Sequence, residues 1–249
     1  MNLNIAHQGR ILALLLALSG MPHVAHASTV LSATDWSGFT NVVTTKNVGS
    51  SNTFSASGSS ALQIYSYLSG SSAETQRFVY DSGFSYDPSV QGAVDSIDIA
   101  IDQRRVSGAP GAHGWGVGFM QGSNIFVFSM YHAFGAGTYS WNTFSIADAT
   151  SAAQWFQATA AGLVAPAATL DLSATGSEIF AGVFIFSGNG GAPYRYDTTQ
   201  YDNLNVSFNT VENAVPVPGA FTLLLTGFAG IGWTRRRARL KSQNGSEPA

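Results

Sequence analysis

Between Ser28 and Asn213 apolar and polar residues alternate with a period of two, and this constrains the fold more than any other feature of the chain. Ser96-Ile97-Asp98-Ile99-Ala100-Ile101-Asp102 and Leu204-Asn205-Val206-Ser207-Phe208 each put apolar side chains on one face of an extended backbone and small, acidic or amide side chains on the other. Gly114 to Met120, Ile125 to Met130, Tyr139 to Ile146 and Ile179 to Phe186 read as further strands, rich in Phe and separated by Gly, Ser and Asn. Asn47 to Ala61 is rich in Ser and Gly, but Phe54 and the following Leu62-Gln63-Ile64-Tyr65 make it an edge hairpin rather than a linker. Only Ser151 to Ala161 carries helix formers in sequence, and Gly162 ends it, so one or two helical turns are expected there. No repeat of fixed period emerges. The pattern predicts one all-β domain, an antiparallel β-sandwich, over residues 28–213.

Composition narrows the class. The 249 residues include no Cys, so neither disulfides nor thiolate metal sites are available. Between Ser28 and Ala214 five basic residues face thirteen acidic ones, a net charge of −8, which argues against nucleic-acid binding.

The two ends differ from the middle. Arg10 precedes the run Ile11 to Leu18, then Gly20, Pro22 and Ala25-His26-Ala27, which is the layout of a secretory signal helix cleaved before Ser28. At the other end Gly219 to Trp233 is apolar and runs into five basic residues between Arg235 and Lys241, an arrangement that inserts with its basic end cytoplasmic. Fifteen residues of helix span only about 22 Å against a hydrocarbon core of about 30 Å, so this is a short anchor, suited to a segment that is later removed. A permanent membrane tail is the alternative.

Val215-Pro216-Val217-Pro218-Gly219, the apolar run and Arg235-Arg236-Arg237 together resemble the PEP-CTERM protein-sorting domain, with Val217 where that family has Glu. The resemblance covers residues 214–241 and leaves 242–249 as a polar tail. It implies a Gram-negative export substrate of a membrane-embedded exosortase, held transiently by a single short C-terminal transmembrane helix and then delivered to the outer surface or an exopolysaccharide matrix. The two prolines would hold the segment before the bilayer extended, as a processing enzyme requires.

In the exported part, Tyr86-Asp87-Pro88-Ser89-Val90 with Gly92 and the Ile97-Ile99-Ile101 strand, Leu170 to Gly176, and Tyr201-Asp202-Asn203-Leu204-Asn205-Val206 resemble concanavalin A-like, laminin-G-like jelly rolls. That resemblance implies a jelly-roll sandwich and, by analogy alone, glycan or surface binding. It also implies a structural Ca²⁺, for which Asp202 and Asn203 are the candidates; strand-start residues that bond local backbone N–H groups are the alternative.

Catalytic patterns are missing. A retaining glycosidase needs two carboxyl groups about 5 Å apart. Here Asp98 and Asp102 share a strand face at about 13 Å, and no Glu stands near another acid at catalytic spacing. His113 and His132 form no metal motif, and no Gly-x-Ser-x-Gly elbow occurs. Sugar rings stack on flat aromatic surfaces, which makes Trp115, Tyr131, Trp141, Tyr194 and Tyr196 the candidate glycan contacts. Trp115 and Trp141 fit either a core or a groove, and Tyr194 and Tyr196 are expected in a loop after Gly188-Asn189-Gly190-Gly191. The expected function is a non-catalytic, glycan-binding, adhesive or structural surface protein. A hydrolase with unrecognised carboxylates and a permanently anchored membrane protein are the alternatives.

Overall fold

The computed structural model describes residues 26–211 apart from 50, 109–112, 130–139 and 152–154. Most of the expected signal peptide, the sorting signal with its transmembrane helix, and the polar tail lie outside the described residues. Among the described residues no helix is long and apolar enough to cross a membrane.

Among the described residues thirteen strands make two sheets, and every strand pair is antiparallel. Sheet A orders β3 (Ser51–Gly58), β4 (Leu62–Ser69), β13 (Tyr194–Val211), β6 (Val94–Gly108) and β9 (Asn142–Ile146), with β1 (His26–Ala33) pairing the second half of β13. Sheet B orders β11 (Gly162–Val164), β10 (Trp155–Thr159), β8 (Asn124–Ser129), β7 (His113–Gln121), β12 (Ile179–Gly188), β5 (Glu74–Tyr86) and β2 (Asn41–Val48). The expected all-β antiparallel sandwich and the edge hairpin β3–β4 are both present. The short helix α1 (Pro88–Gln91) is set by Asp87, whose carboxylate accepts from the Ser89 amide at 2.9 Å, with Pro88 opening the turn.

The helix expected over Ser151–Ala161 is overturned. Residues 149–151 form a 3-10 turn and Trp155–Thr159 is strand β10, paired with β8. Helix propensity loses here to packing: the Trp155 ring lies 5.4 Å from both Phe119 and Phe128, and its Nε1 donates to the Ala149 carbonyl at 2.7 Å.

Two cores result. The main one lies between the sheets and gathers Ile97, Ile99, Ile101, Trp115, Val117, Phe119, Val183, Ile185, Leu204, Val206 and Phe208. The second lies on the opposite face of sheet B, where Phe78, Ile125, Val127, Ala158 and Phe184 are buried together and Val43, Tyr80, Met120, Leu163 and Phe186 pack against them. Every strand of sheet B contributes to that cluster, so the sheet curls around it. Lys46 of β2 reaches the Ala161 carbonyl beside β11 at 3.4 Å, closing the curl, and is held there by Glu74 at 2.6 Å. Gly118 on the central strand permits the packing: a Cβ there would stand 2.6 Å from the Phe78 ring.

One buried polar group ties sheet A together internally. Asp197 accepts from Arg195 Nε at 2.8 Å and from Arg105 Nη2 at 3.2 Å, and all three side chains are almost fully buried.

Candidate glycan-binding face

Because sheet B turns its outer face inward upon a core, the outer face of sheet A is the sheet surface left for a ligand. Its side chains come from the alternate positions of strands whose other positions are locked in the main core. On β4, Leu62, Ile64, Ser66 and Leu68 point inward, which turns Gln63, Tyr65 and Tyr67 outward. On β13, Arg195, Asp197, Thr199 and Tyr201 point inward, which leaves Tyr194, Tyr196, Thr198 and Gln200 on the outer side.

Register aligns these residues into ranks across the strands. Thr53, Tyr67 and Tyr196 form one rank, Ser55, Tyr65, Thr198 and Ser107 the next, and Ser57, Gln63, Gln200 and Arg104 a third. Trp141, the residue before β9, extends the third rank, since the next residue, Asn142, pairs with Gln103. Five strands at about 4.8 Å spacing make a surface about 19 Å across. Tyr194 is 60% exposed, Tyr196 45% and Trp141 39%, while Tyr65 and Tyr67 are half-buried.

Three members of the third rank are hydrogen-bonded in series. Arg104 Nε donates to Gln200 Oε1 at 2.7 Å, and Gln200 Nε2 donates to Gln63 Oε1 at 2.9 Å. The Arg104 guanidinium lies over the Trp141 ring, 4.6 Å from its centroid, so one face of the indole is occupied and its orientation fixed. In the second rank Ser107 donates to Thr198 at 3.0 Å. Flat aromatic surfaces beside fixed amide and hydroxyl groups are the chemistry that sugar rings require: C–H faces stack on the rings and hydroxyls meet the polar groups.

The sequence candidates divide. Trp141, Tyr194 and Tyr196 stand on this face. Tyr194 and Tyr196 belong to β13 and not to the loop expected for them, a correction that converts mobile contacts into strand-held ones. Trp115 is 0% exposed between the sheets, edge-on to Phe144 at 5.0 Å and to Tyr201 at 5.6 Å, so its ring is unavailable to a ligand. Tyr131 lies outside the described residues, as does His132. Sequence reasoning missed Gln63, Tyr65, Tyr67, Arg104 and Gln200. The signal for the first three was present in the unbroken alternation Leu62-Gln63-Ile64-Tyr65-Ser66-Tyr67-Leu68.

The acidic residues occupy the other half of the same face. Asp102 accepts from Thr143 at 2.5 Å and from Asn203 at 2.7 Å, and Asp98 accepts from the Asp148 amide at 2.8 Å and from Asn209 at 3.0 Å. Asp202 accepts from Trp36 Nε1 at 3.4 Å and from the Asn203 amide at 2.8 Å. Asn203 has φ 50° and sits in the irregularity between Asp202 and Asn205. Both N–H groups meet Asp202 at Oδ1, and the Asn203 amide nitrogen faces Asp102. Among the described residues no three His, Cys, Asp or Glu side chains converge as metal ligands would.

Fold and face together define the molecule as an all-β antiparallel sandwich with one curled sheet and one open, aromatic sheet face. No protein-family model matches the chain and no curated protein matches it. Among solved structures it is similar to a family 11 carbohydrate-binding module from Clostridium thermocellum in complex with a β-1,3-1,4-mixed-linked tetrasaccharide. There the identity is 14%, the match covers 79% of this chain and 94% of that one, and the TM-score is 0.37. A protein of unknown function from Shewanella oneidensis matches at 11% identity over 80% of this chain and 94% of that one, with a TM-score of 0.37. A carbohydrate-binding module described for specific mannan recognition matches at 12% identity over 75% and 99%, with a TM-score of 0.34.

Proposed function

We propose that the exported domain is a non-catalytic glycan-binding module that holds a polysaccharide chain across the outer face of sheet A. One observation carries the reading: Tyr65, Tyr67, Tyr194, Tyr196 and Trp141 share an open face with a hydrogen-bonded amide rank, on a sheet whose reverse side is core. Tyr67 and Tyr196 stand directly opposite one another, with Cβ atoms about 5 Å apart, and supply the centre of the stacking surface. The carboxylates of the same face bond to Thr143, Asn203, Asn209 and the Asp148 amide, which supports a structural role for them over glycoside hydrolysis.

The test is affinity electrophoresis and calorimetry of the full-length protein against a panel of soluble polysaccharides. The Tyr67→Ala/Tyr196→Ala double variant is expected to lose about tenfold or more in affinity for whichever polymer binds, without release of reducing sugar by either protein. Unchanged affinity in the double variant refutes the face.

Delivery to the outer surface by an exosortase belongs to the same proposal and rests on the sequence: the signal-peptide layout at one end and, at the other, the order Pro216-Val217-Pro218, apolar run, Arg235-Arg236-Arg237. Intact mass of the protein recovered from its host, with and without the exosortase, tests it. A product running from Ser28 to between Pro216 and Gly219 only when the enzyme is present supports processing. A chain reaching Ala249 in both strains makes it a permanently anchored membrane protein.

A further inference from the structure

We infer that the polar rank beside the tyrosines selects a carboxylate-bearing polysaccharide, a polyuronate by class, with Arg104 as the residue that reads the carboxylate. The inference rests on the glycan-binding reading above and deepens it.

The argument starts from the fixed polarity of the rank. An Arg side chain has donors only, so Gln200 must turn its carbonyl oxygen to Arg104 and its NH₂ to Gln63. Gln63 then accepts through its oxygen, and its own NH₂ is left facing outward. Among the described residues nothing accepts from Gln63 Nε2 or from the Arg104 Nη groups. One rank therefore presents hydrogen-bond donors at two points separated by a strand, and the Trp141 ring beneath Arg104 keeps the guanidinium in place.

A hydroxyl facing a donor-only group can accept but leaves its own proton without a partner on that rank. A carboxylate is acceptor-only, matches the Nη1–Nη2 edge that Arg104 leaves free, and forms the stronger charge-assisted pair. The net charge of the domain does not cancel this preference locally. No carboxylate projects from the three ranks; in the adjoining part of the face Asp102 has its oxygens engaged by Thr143 and Asn203, and Asp202 opposite it accepts from Trp36 Nε1 and the Asn203 amide through Oδ1. Thr53, Ser55 and the tyrosine hydroxyls, which both donate and accept, remain for the sugar hydroxyls.

The experiment compares binding of the full-length protein to alginate, polygalacturonate and hyaluronan with binding to each polymer after chemical reduction of its carboxyl groups, at low and high salt. At least one acidic polymer is expected to bind about tenfold or more tighter than its reduced form, with the difference shrinking in salt. Arg104→Gln is expected to abolish that difference, with an unchanged thermal melt and circular dichroism spectrum as the check that the variant folds. Arg104→Lys, which keeps the charge but loses the planar fork, is expected to fall between. Equal binding of acidic and reduced forms, or an Arg104→Gln loss shared by both, overturns the inference. Neutral binding that depends on Tyr67 and Tyr196 but not on carboxyl groups overturns it while leaving the glycan-binding reading intact; no binding to any polymer overturns both.

Discussion

Replacing Phe184 by Ala tests whether sheet B encloses a second core. In an ordinary sandwich the outward positions of a sheet face water, and truncating one costs little. Phe184 points outward from β12, the strand between β7 and β5, yet is 0% exposed within the cluster of Phe78, Ile125, Val127 and Ala158. Transfer of a fully buried Phe side chain is worth about 1.5–3 kcal/mol, and the cavity left behind brings the total to about 3–5 kcal/mol. For a domain of this size each kcal/mol shifts Tm by about 2–4 °C, so a drop of about 6–20 °C is expected. The control is Tyr196→Ala, an aromatic at an outward position of the central strand of sheet A, 45% exposed, for which about 1 kcal/mol or less is expected. Urea unfolding followed by tryptophan fluorescence reads both variants on one scale. If Phe184→Ala costs no more than Tyr196→Ala, the outer face of sheet B is open and the curl is wrong, and with it the argument that only sheet A has a face to offer.

Two further outcomes follow from the polar groups. Asp197→Ala strands the guanidiniums of Arg105 and Arg195 in the interior and is expected to cost about 3–5 kcal/mol in urea unfolding, whereas Asp81→Ala, on β5, stays within about 1 kcal/mol. The exposed Asp171 carboxylate is held below its ordinary value, first by the Ser173 hydroxyl at 2.6 Å and then by the Ser173 amide at 3.1 Å. A depressed folded value means that its stabilisation is present above the ordinary carboxylate range and is lost as pH falls through the folded value; carboxyl NMR titration of Ser173→Ala is expected to return Asp171 toward the usual range.

The alternation that announced the sheets also shows why part of the site was hidden. Ser96 to Asp102 and Leu62 to Leu68 keep one phase throughout, and their inward and outward faces can be read directly from the letters. β13 does not keep one phase. Its inward positions are odd from Arg195 to Tyr201 and even from Leu204 to Thr210, because one extra residue at Asp202–Asn205 shifts the register against β6. Reading the strand from Leu204 backwards therefore loses the pattern at the bulge, and Tyr194 and Tyr196 look like loop residues. Arg104 and Gln200 were illegible for another reason. A polar outward residue on a strand has no distinguishing mark until the register sets it beside a partner 96 positions away. Trp155 shows the limit of propensity: its neighbours Phe119 and Phe128 come from strands that a local window does not contain.

Buried neighbours let the candidate binding face and a core share one strand. Each outward site residue on β13 has an inward neighbour that cannot move: Tyr196 lies between Arg195 and Asp197, and Gln200 between Thr199 and Tyr201, all buried. The Tyr201 phenol is pushed well above its ordinary value by burial and by the Asp197 carboxylate, so it stays neutral and acts as a wall rather than as an acid or base. Asp197, gripped by Arg195 and by Arg105 across the strand pair, fixes β13 against β6 at the level where Tyr196 and Thr198 emerge on the other side. A one-residue slip of β13 would send Tyr194 and Tyr196 into the core and Arg195 and Asp197 out, leaving Arg105 of β6 buried without its carboxylate, so the register of the outer face is set in part by the ion pairs behind it. On the proposed reading, a face held in this way would lose little conformational entropy when a polymer settles on it, which a shallow surface with no enclosing walls would need in order to bind.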